Sequence, residues 1–253
     1  PDSQNYIKKT YKNKEMGLLH SRLNIIDLNT RSNQPFTDKH FTIIFNGEIY
    51  NYLELKYDLK KKGYFFKTNS DTEVLLKSYI EYGDKCVNYL EGMWAFAIWD
   101  DKNKSIFLSR DPFGEKPLYY FYDNKSFFFG SEVKFLKSLS NKKFIINKDK
   151  INQNLFLGYK SIFSDNNSFF KKIYTLENAS NIKVSSNLKI KIEKYWKPKF
   201  LINNKIKKKD AVKELQDLLL KSLSIRLRSD VPIAFCLSGG IDSGYLASLA
   251  AKK

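Results

Sequence analysis

Two places in the sequence carry residue types that chemistry needs. The first is Ser238-Gly239-Gly240-Ile241-Asp242-Ser243, directly after the apolar run Val231–Leu237. Its glycines let the backbone approach a phosphate closely. N–H groups at a helix start, together with the Ser238 and Ser243 hydroxyls, suit a pyrophosphate. Asp242 adds a hard oxygen ligand for Mg2+, and the loop lacks the Lys-Ser/Thr ending of a Walker A motif. The second place is dispersed: Arg22 in His20-Ser21-Arg22-Leu23, then Asn46-Gly47-Glu48, then Asp71 in Asn69-Ser70-Asp71-Thr72-Glu73. Amide hydrolysis asks for an oxyanion hole, which the Asn46 side chain and the Gly47 N–H would supply. An amino-acid substrate asks for a cation at its carboxylate, where the planar fork of Arg22 would grip bidentately. It also asks for anions at its ammonium, a task suited to Glu48 and Asp71. Taken singly, each residue has an ordinary reading: Asn46-Gly47 as a hairpin turn, Asp71 as a helix N-cap, Arg22 as a surface ion pair.

These residues need elements to position them. Phe41-Thr42-Ile43-Ile44-Phe45 reads as a strand ending at an Asn46-Gly47 turn. Leu53 to Lys62 reads as a helix closed by Gly63, and a second helix follows an N-cap at Asp71. Met93–Trp99, Ser105–Ser109, Leu118–Tyr122 and Ser126–Gly130 predict a meander-like series of short strands. From Asn141 to Asn204 the pattern loosens into polar segments with short β-like pieces, and Asn203–Lys209 is a linker candidate. An amphipathic helix is expected from Asp210 to about Arg228, with Val212, Leu215, Leu218, Leu219 and Leu223 on its apolar stripe. Val231–Leu237 predicts a buried strand and Ser243 onward a helix, the strand–loop–helix opening of an α/β nucleotide-binding domain.

Composition narrows the class without naming it. The 253 residues are 42% hydrophobic and 15% aromatic, enough for sizeable cores. The net charge of +17 is nearly all lysine, with arginine only at positions 22, 31, 110, 226 and 228. A solvated basic surface is expected rather than a specific nucleic-acid site, since arginine is the residue preferred for bidentate reading of bases and phosphates. No apolar run is long enough to span a bilayer, and no signal peptide is visible. Cys86 and Cys236 form no CxxC pair, which argues against a disulfide framework and for a cytoplasmic setting. Both are expected to be small core residues.

The Ser238–Ser243 loop resembles the SGGxDS loop of ATP pyrophosphatases, and Arg22, Asn46-Gly47-Glu48 and Asp71 together resemble the glutaminase domain of class II glutamine amidotransferases. Arg110-Asp111-Pro112-Phe113-Gly114-Glu115-Lys116-Pro117 and Ser131-Glu132-Val133-Lys134 match the asparagine synthetase branch. In that order, the two units resemble glutamine-hydrolysing asparagine synthetase over essentially the whole chain. The resemblance implies an α+β N-terminal domain of the Ntn-hydrolase type at residues 1–180, an αββα sandwich of antiparallel sheets. It further implies a connecting segment at 181–208 and, at 209–253, the first βα unit of an α/β ATP-pyrophosphatase domain. It implies glutamine binding by Arg22, Asn46, Glu48 and Asp71, with Asn46 and Gly47 as the oxyanion hole. ATP would sit on Leu237, Ser238, Gly239, Gly240, Asp242 and Ser243, with Mg2+ on Asp242. The activity implied is adenylation of aspartate by ATP, followed by displacement of AMP by ammonia from glutamine. A homodimer is a further implied partner.

The family's nucleophile is an N-terminal cysteine whose own α-amino group acts as base, followed by an Arg-Gly-Pro-Asp motif. Pro1-Asp2 matches the tail of that motif, so the sequence is expected to be truncated at both ends and inactive as it stands. Neither Cys86 nor Cys236 stands in for the nucleophile. Two alternatives remain open: a related amide ligase or cyclase acting on another carboxylate, and an inactive binding module.

Overall fold

The computed structural model describes residues 1–11, 14–200 and 206–251. It opens with an antiparallel hairpin, β1 (Ser3–Tyr11) and β2 (Lys14–Arg22). Next come β3 (Phe36–Asp38), β4 (Phe41–Ile49), α1 (Tyr52–Lys61) and α2 (Asp71–Tyr82). Strands β5 (Gly92–Asp100), β6 (Ser105–Arg110), β7 (Tyr119–Tyr122) and β8 (Phe127–Gly130) follow. The remainder is α3 (Val133–Ser140), α4 (Lys148–Leu157), β9 (Tyr174–Thr175), β10 (Ser180–Val184), β11 (Ile190–Lys194), α5 (Lys208–Arg226) and α6 (Ile241–Ala251).

A six-stranded antiparallel sheet runs β11-β10-β6-β5-β4-β3, and a three-stranded one runs β8-β7-β9. The centre of the large sheet explains the layering. Strand β5 is apolar on both faces, as a strand covered on both sides must be. Trp94, Phe96 and Ile98 point to one face and pack with Leu55 and Leu59 of α1 and Val74, Leu75 and Leu76 of α2. Ala95 and Ala97 point to the other, where their small size admits Leu118, Tyr120 and Leu176 of the second sheet region. Beyond that sheet Phe121 and Ile173 bury Leu136 of α3. Helices, sheet, sheet and helix therefore stack in the αββα order expected. The hairpin lies over the same second face, with Met16 and Leu18 against Trp99.

Several local expectations change. Asn46-Gly47 is no turn: β4 continues through it to Ile49, paired with β5 from Phe41–Asp100 to Ile49–Gly92. The N-cap of α2 is Ser70, whose hydroxyl accepts from the Thr72 N–H, and Asp71 is the first helical residue. The four strands from Gly92 to Gly130 divide between two sheets instead of forming one meander. The loose region from residue 141 holds α4, which its polar, weakly periodic sequence conceals. Strands β10 and β11 carry the large sheet on to Lys194, past the boundary expected at residue 180.

The C-terminal segment departs furthest. Val231–Leu237 forms no strand, because a strand exists only by pairing and no described segment pairs with it. Cys236 is consequently exposed, whereas Cys86 is buried as expected. On α5 the stripe residues Val212, Leu215 and Leu218 face solvent, while Leu223 and Ile225 are buried. The linker expected at Asn203–Lys209 lies outside the described residues up to 205, and α5 already begins at Lys208.

Candidate active site

Strand alternation puts Asn46 and Glu48 on the face of β4 opposite Phe45 and Ile49, which are buried with the helices. That face opens into a cleft of about 2040 Å³ whose lining includes Arg22, Asn46, Gly47, Glu48, Ser70 and Asp71. Four of the residues singled out from sequence, and the glycine between two of them, are thus brought to one cavity from three separate segments. The Asn46 Nδ2 donates to the Ser131 hydroxyl at 3.3 Å, which ties it to the loop after β8.

Backbone polarity along β4 aims the Gly47 N–H. In an antiparallel strand alternate N–H groups point to the same edge. On the edge away from β5, the Phe45 N–H donates to Gln34 Oε1 at 2.6 Å and the Ile49 N–H to Asp71 Oδ2 at 3.0 Å. Gly47 lies between them on that edge. Its φ of +151° suits glycine alone, and a Cβ there would stand 2.0 Å from the Met93 carbonyl oxygen. The sequence therefore places a backbone donor beside Asn46 where no other residue fits.

The charges are buried and mutually felt. Burial pushes the Asp71 carboxyl up to about 6; the Ile49 N–H works against this, and the Glu48 charge adds to it. Burial also raises Glu48, with Lys116 opposing. Arg22 is lowered by burial, while Asp27 and Asp71 act to sustain its charge. Its guanidinium is nevertheless committed. Nη1 donates to Asn29 O at 3.2 Å and Asn33 Oδ1 at 3.1 Å, and Nη2 to Ile26 O at 3.0 Å and Asp27 O at 2.6 Å. The terminal donors expected to grip a carboxylate bidentately are already used, which leaves the Nε–H and the charge.

Ser131, Gln34 and Lys116 belong to the site without having been assigned a role from sequence. Ser131 and Lys116 sit in motif stretches, a usable signal. Gln34, which bridges Phe45 N and the Thr72 hydroxyl, carried none. Arg110 and Asp111, the heart of the other motif, organise a loop. Arg110 donates to the carbonyls of Gly114, Lys116 and Leu176, and Asp111 accepts from the N–H groups of Trp94, Phe113, Glu115 and Lys116. This loop holds Lys116 near Glu48. Cys86 and Cys236 do not line the cleft, and burial pushes the Cys86 thiol pKa up, away from reactivity.

The Ser238–Ser243 loop stands apart and exposed. Ser238 Oγ lies 3.0 Å from Ser243 Oγ, the Ser243 hydroxyl also reaches the Gly240 carbonyl at 3.1 Å, and Gly239 takes φ +80°. Two hydroxyls converging on a glycine turn at the start of α6 fit an oxyanion such as pyrophosphate. Asp242 is exposed in the first turn of α6. Among the described residues no three His, Cys, Asp or Glu side chains cluster to hold a metal ion.

Comparison with known proteins agrees with both units. Residues 1–196 match the family described as glutamine amidotransferase domain, and residues 214–253 match the asparagine synthase family. The chain is 38% identical over 252 residues to asparagine synthetase [glutamine-hydrolyzing] 1 of Bacillus subtilis, covering 99% of this chain and 38% of that protein. It is 34% identical over 241 residues to asparagine synthetase [glutamine-hydrolyzing] 3 of the same organism, covering 92% of this chain and 38% of the relative. The chain thus spans well under half the length of these two relatives. Glutamine phosphoribosylpyrophosphate amidotransferase from B. subtilis superposes with a TM-score of 0.51 at 19% identity, over 71% of this chain and 35% of that one. At that identity the likeness establishes the fold. The chain belongs to the glutamine amidotransferase domain family, whose match runs from residue 1 to 196, and residues 214–253 match the asparagine synthase family.

Proposed function

We propose that the cleft binds L-glutamine and supports hydrolysis of its side-chain amide, and that the released ammonia amidates aspartate to asparagine at the expense of ATP in the synthetase unit. The observation that carries this is the convergence of Asn46, Gly47, Glu48, Asp71 and Arg22 on one cavity of an amidotransferase fold. In this proposal the Asn46 amide and the Gly47 N–H stabilise the negative oxygen that forms when the amide carbonyl is attacked. Glu48 and Asp71 neutralise the substrate ammonium. Arg22 meets the α-carboxylate through its Nε–H and its charge, unless glutamine displaces one of its present acceptors. Attack is assigned to an N-terminal cysteine of the kind the family resemblance implies.

Leu237, Ser238, Gly239, Gly240 and Ser243 would hold ATP, with Asp242 on Mg2+. ATP bound there would supply the leaving group that makes a carboxylate open to ammonia. The paired hydroxyls of Ser238 and Ser243 support that assignment. A cytoplasmic homodimer belongs to the same proposal. Among the described residues no helix is long and apolar enough to cross a membrane.

The test is to give the complete native protein glutamine labelled with 15N in its amide, aspartate, ATP and Mg2+. The expected products are glutamate, 15N-labelled asparagine and AMP. Glutamate with neither AMP nor labelled asparagine would reassign the acceptor to another carboxylate. No glutamate at all would overturn the glutaminase assignment.

A further inference from the structure

Asp27 is a junction. It sits in the left-handed region at φ +54°, which costs a side-chain-bearing residue strain unless its surroundings fix it. Four groups do so. The Asp27 N–H donates to Asp230 Oδ2 at 2.8 Å, and its carbonyl accepts from Arg22 Nη2 at 2.6 Å. Its carboxylate accepts from the N–H groups of Asn29 at 3.2 Å and Asn69 at 2.7 Å. Asn69 lies two residues before Asp71. One buried residue therefore touches the Arg22 side of the cleft, the Asp71 side, and a residue 203 positions away.

That distant residue arrives in a docked turn. The Asp230 N–H donates back to the Ile25 carbonyl at 3.0 Å, so Asp230 clasps residues 25–27 in both directions. Arg228 donates to the Tyr50 carbonyl at 2.7 Å, immediately after β4, and makes two 2.6 Å bonds to Glu54. The Arg226 guanidinium lies 4.8 Å from the Tyr50 ring centre. The turn thus holds the end of the strand that carries Asn46, Gly47 and Glu48 as well as the Asp27 loop. It belongs to the segment that matches the asparagine synthase family and leads, eight residues on, into the Ser238–Ser243 loop.

We propose that Arg228-Ser229-Asp230 is a positioning element for the glutamine pocket, supplied by the synthetase unit. Asp230 fixes Asp27, and Asp27 fixes both Arg22 and the segment before Asp71. The inference rests on reading the cleft as a glutamine site. A structural clasp alone would stabilise the chain; a positioning element also sets how well the pocket accepts substrate. Movement of the turn on the synthetase side would accordingly change glutamine affinity.

The experiment uses the complete native protein and steady-state glutamine hydrolysis, with calorimetric binding of L-glutamate as a readout that needs no turnover. Asp230→Ala should raise KM for glutamine, and Kd for glutamate, by about tenfold, the worth of one charge-assisted hydrogen bond, with kcat within about twofold. Asp230→Asn, which keeps an oxygen acceptor for the Asp27 N–H, should recover most of the loss. If Asp230→Ala does not fold, Arg228→Ala removes only a partly exposed anchor and should still raise KM by about threefold. A wild-type KM in a folded Asp230→Ala or Arg228→Ala protein, even with a lowered Tm, overturns the inference and leaves the glutamine reading intact. If the wild type neither hydrolyses glutamine nor binds glutamate, the glutamine reading fails first.

Discussion

Asn46-Gly47-Glu48 and Ser238–Ser243 are both short glycine-bearing segments to which we assign oxyanion chemistry, yet the molecule holds them in opposite ways. The first lies inside a strand flanked by β5, by helices on one face and by the cleft on the other, so neighbours dictate its backbone. The second is held chiefly by hydrogen bonds among its own residues and projects from an exposed segment. A glycine in the first is required by its surroundings, because a Cβ has nowhere to go. In the second, a Cβ at Gly239 meets nothing within 4 Å, and it is the φ of +80° that favours glycine there. The same residue type thus answers to packing in one region and to local backbone conformation in the other.

The sharpest way to break that contrast is Gly47→Ala. The added Cβ would stand 2.0 Å from the Met93 carbonyl oxygen and force an unfavourable φ. The expected cost is about 4 kcal/mol or more, in the range of severe overpacking and backbone strain. Soluble yield and the denaturation midpoint report it, and a near-native midpoint would show that β4 can shift. Asn46→Ala comes next. It should leave the midpoint within about 1 kcal/mol and cut glutamine hydrolysis by about 10²–10³, the usual cost of an oxyanion donor. Unchanged hydrolysis would remove Asn46 from the mechanism. Asp242→Ala in the complete protein should abolish ATP-dependent amidation and spare glutamine hydrolysis. Equal loss of both activities would contradict the division of labour between the two regions.

Legibility from sequence followed the same contrast. Where burial forces residue choice, the pattern could be read: the apolar run of β5, the helix from Tyr52 to Lys61 and the alternation that aims Asn46 and Glu48 at one face. Asn46-Gly47 misled as a turn because that pair is a strong local turn signal, and only the β5 pairing beside it overrides the signal. Arg22 was legible as a charge in the right place. That its four terminal N–H groups are spent on residues 26–33 was not, since three of those acceptors are backbone carbonyls, which any residue supplies, and none has a sequence signature. The Val231–Leu237 strand failed for the reverse reason: its composition is strand-like, but pairing is a property of a partner. Asp230 carried no signal at all, because a contact across 203 positions leaves no local periodicity.

A smaller effect separates the buried charges from solvent-exposed ones. Asp71, pushed up to about 6 chiefly by burial, is raised by folding, so its contribution to stability is present at low pH and is lost as pH rises through about 6. Binding an ammonium requires the carboxylate and has the opposite trend. Glutamine affinity should therefore fall as pH drops below about 6, by at most about tenfold per unit for one coupled proton. Glu48, also raised, acts in the same direction, and Lys116 opposes it. Asp71→Asn should weaken binding at neutral pH and flatten this profile. A wild-type profile that is flat from pH 5 to 7 would mean that Asp71 does not meet the ammonium. The rise in Tm on adding glutamine should likewise be larger at pH 7 than at pH 5.

The smallest expected effect tests the other half of the comparison. Gly244 sits in α6, one residue past the Ser238–Ser243 loop, and a Cβ built there has nothing within 4 Å. If packing does not dictate that region, Gly244→Ala should be tolerated and should favour the helix by about 0.5–1 kcal/mol, the ordinary gain over glycine in a helix interior. A rise of a few degrees in the transition that melts α6, or greater helicity by circular dichroism, would show it. A loss of stability would mean that another surface packs against α6 in the complete protein. The position is then as constrained as Gly47, and the difference between the two regions is one of partners and not of kind.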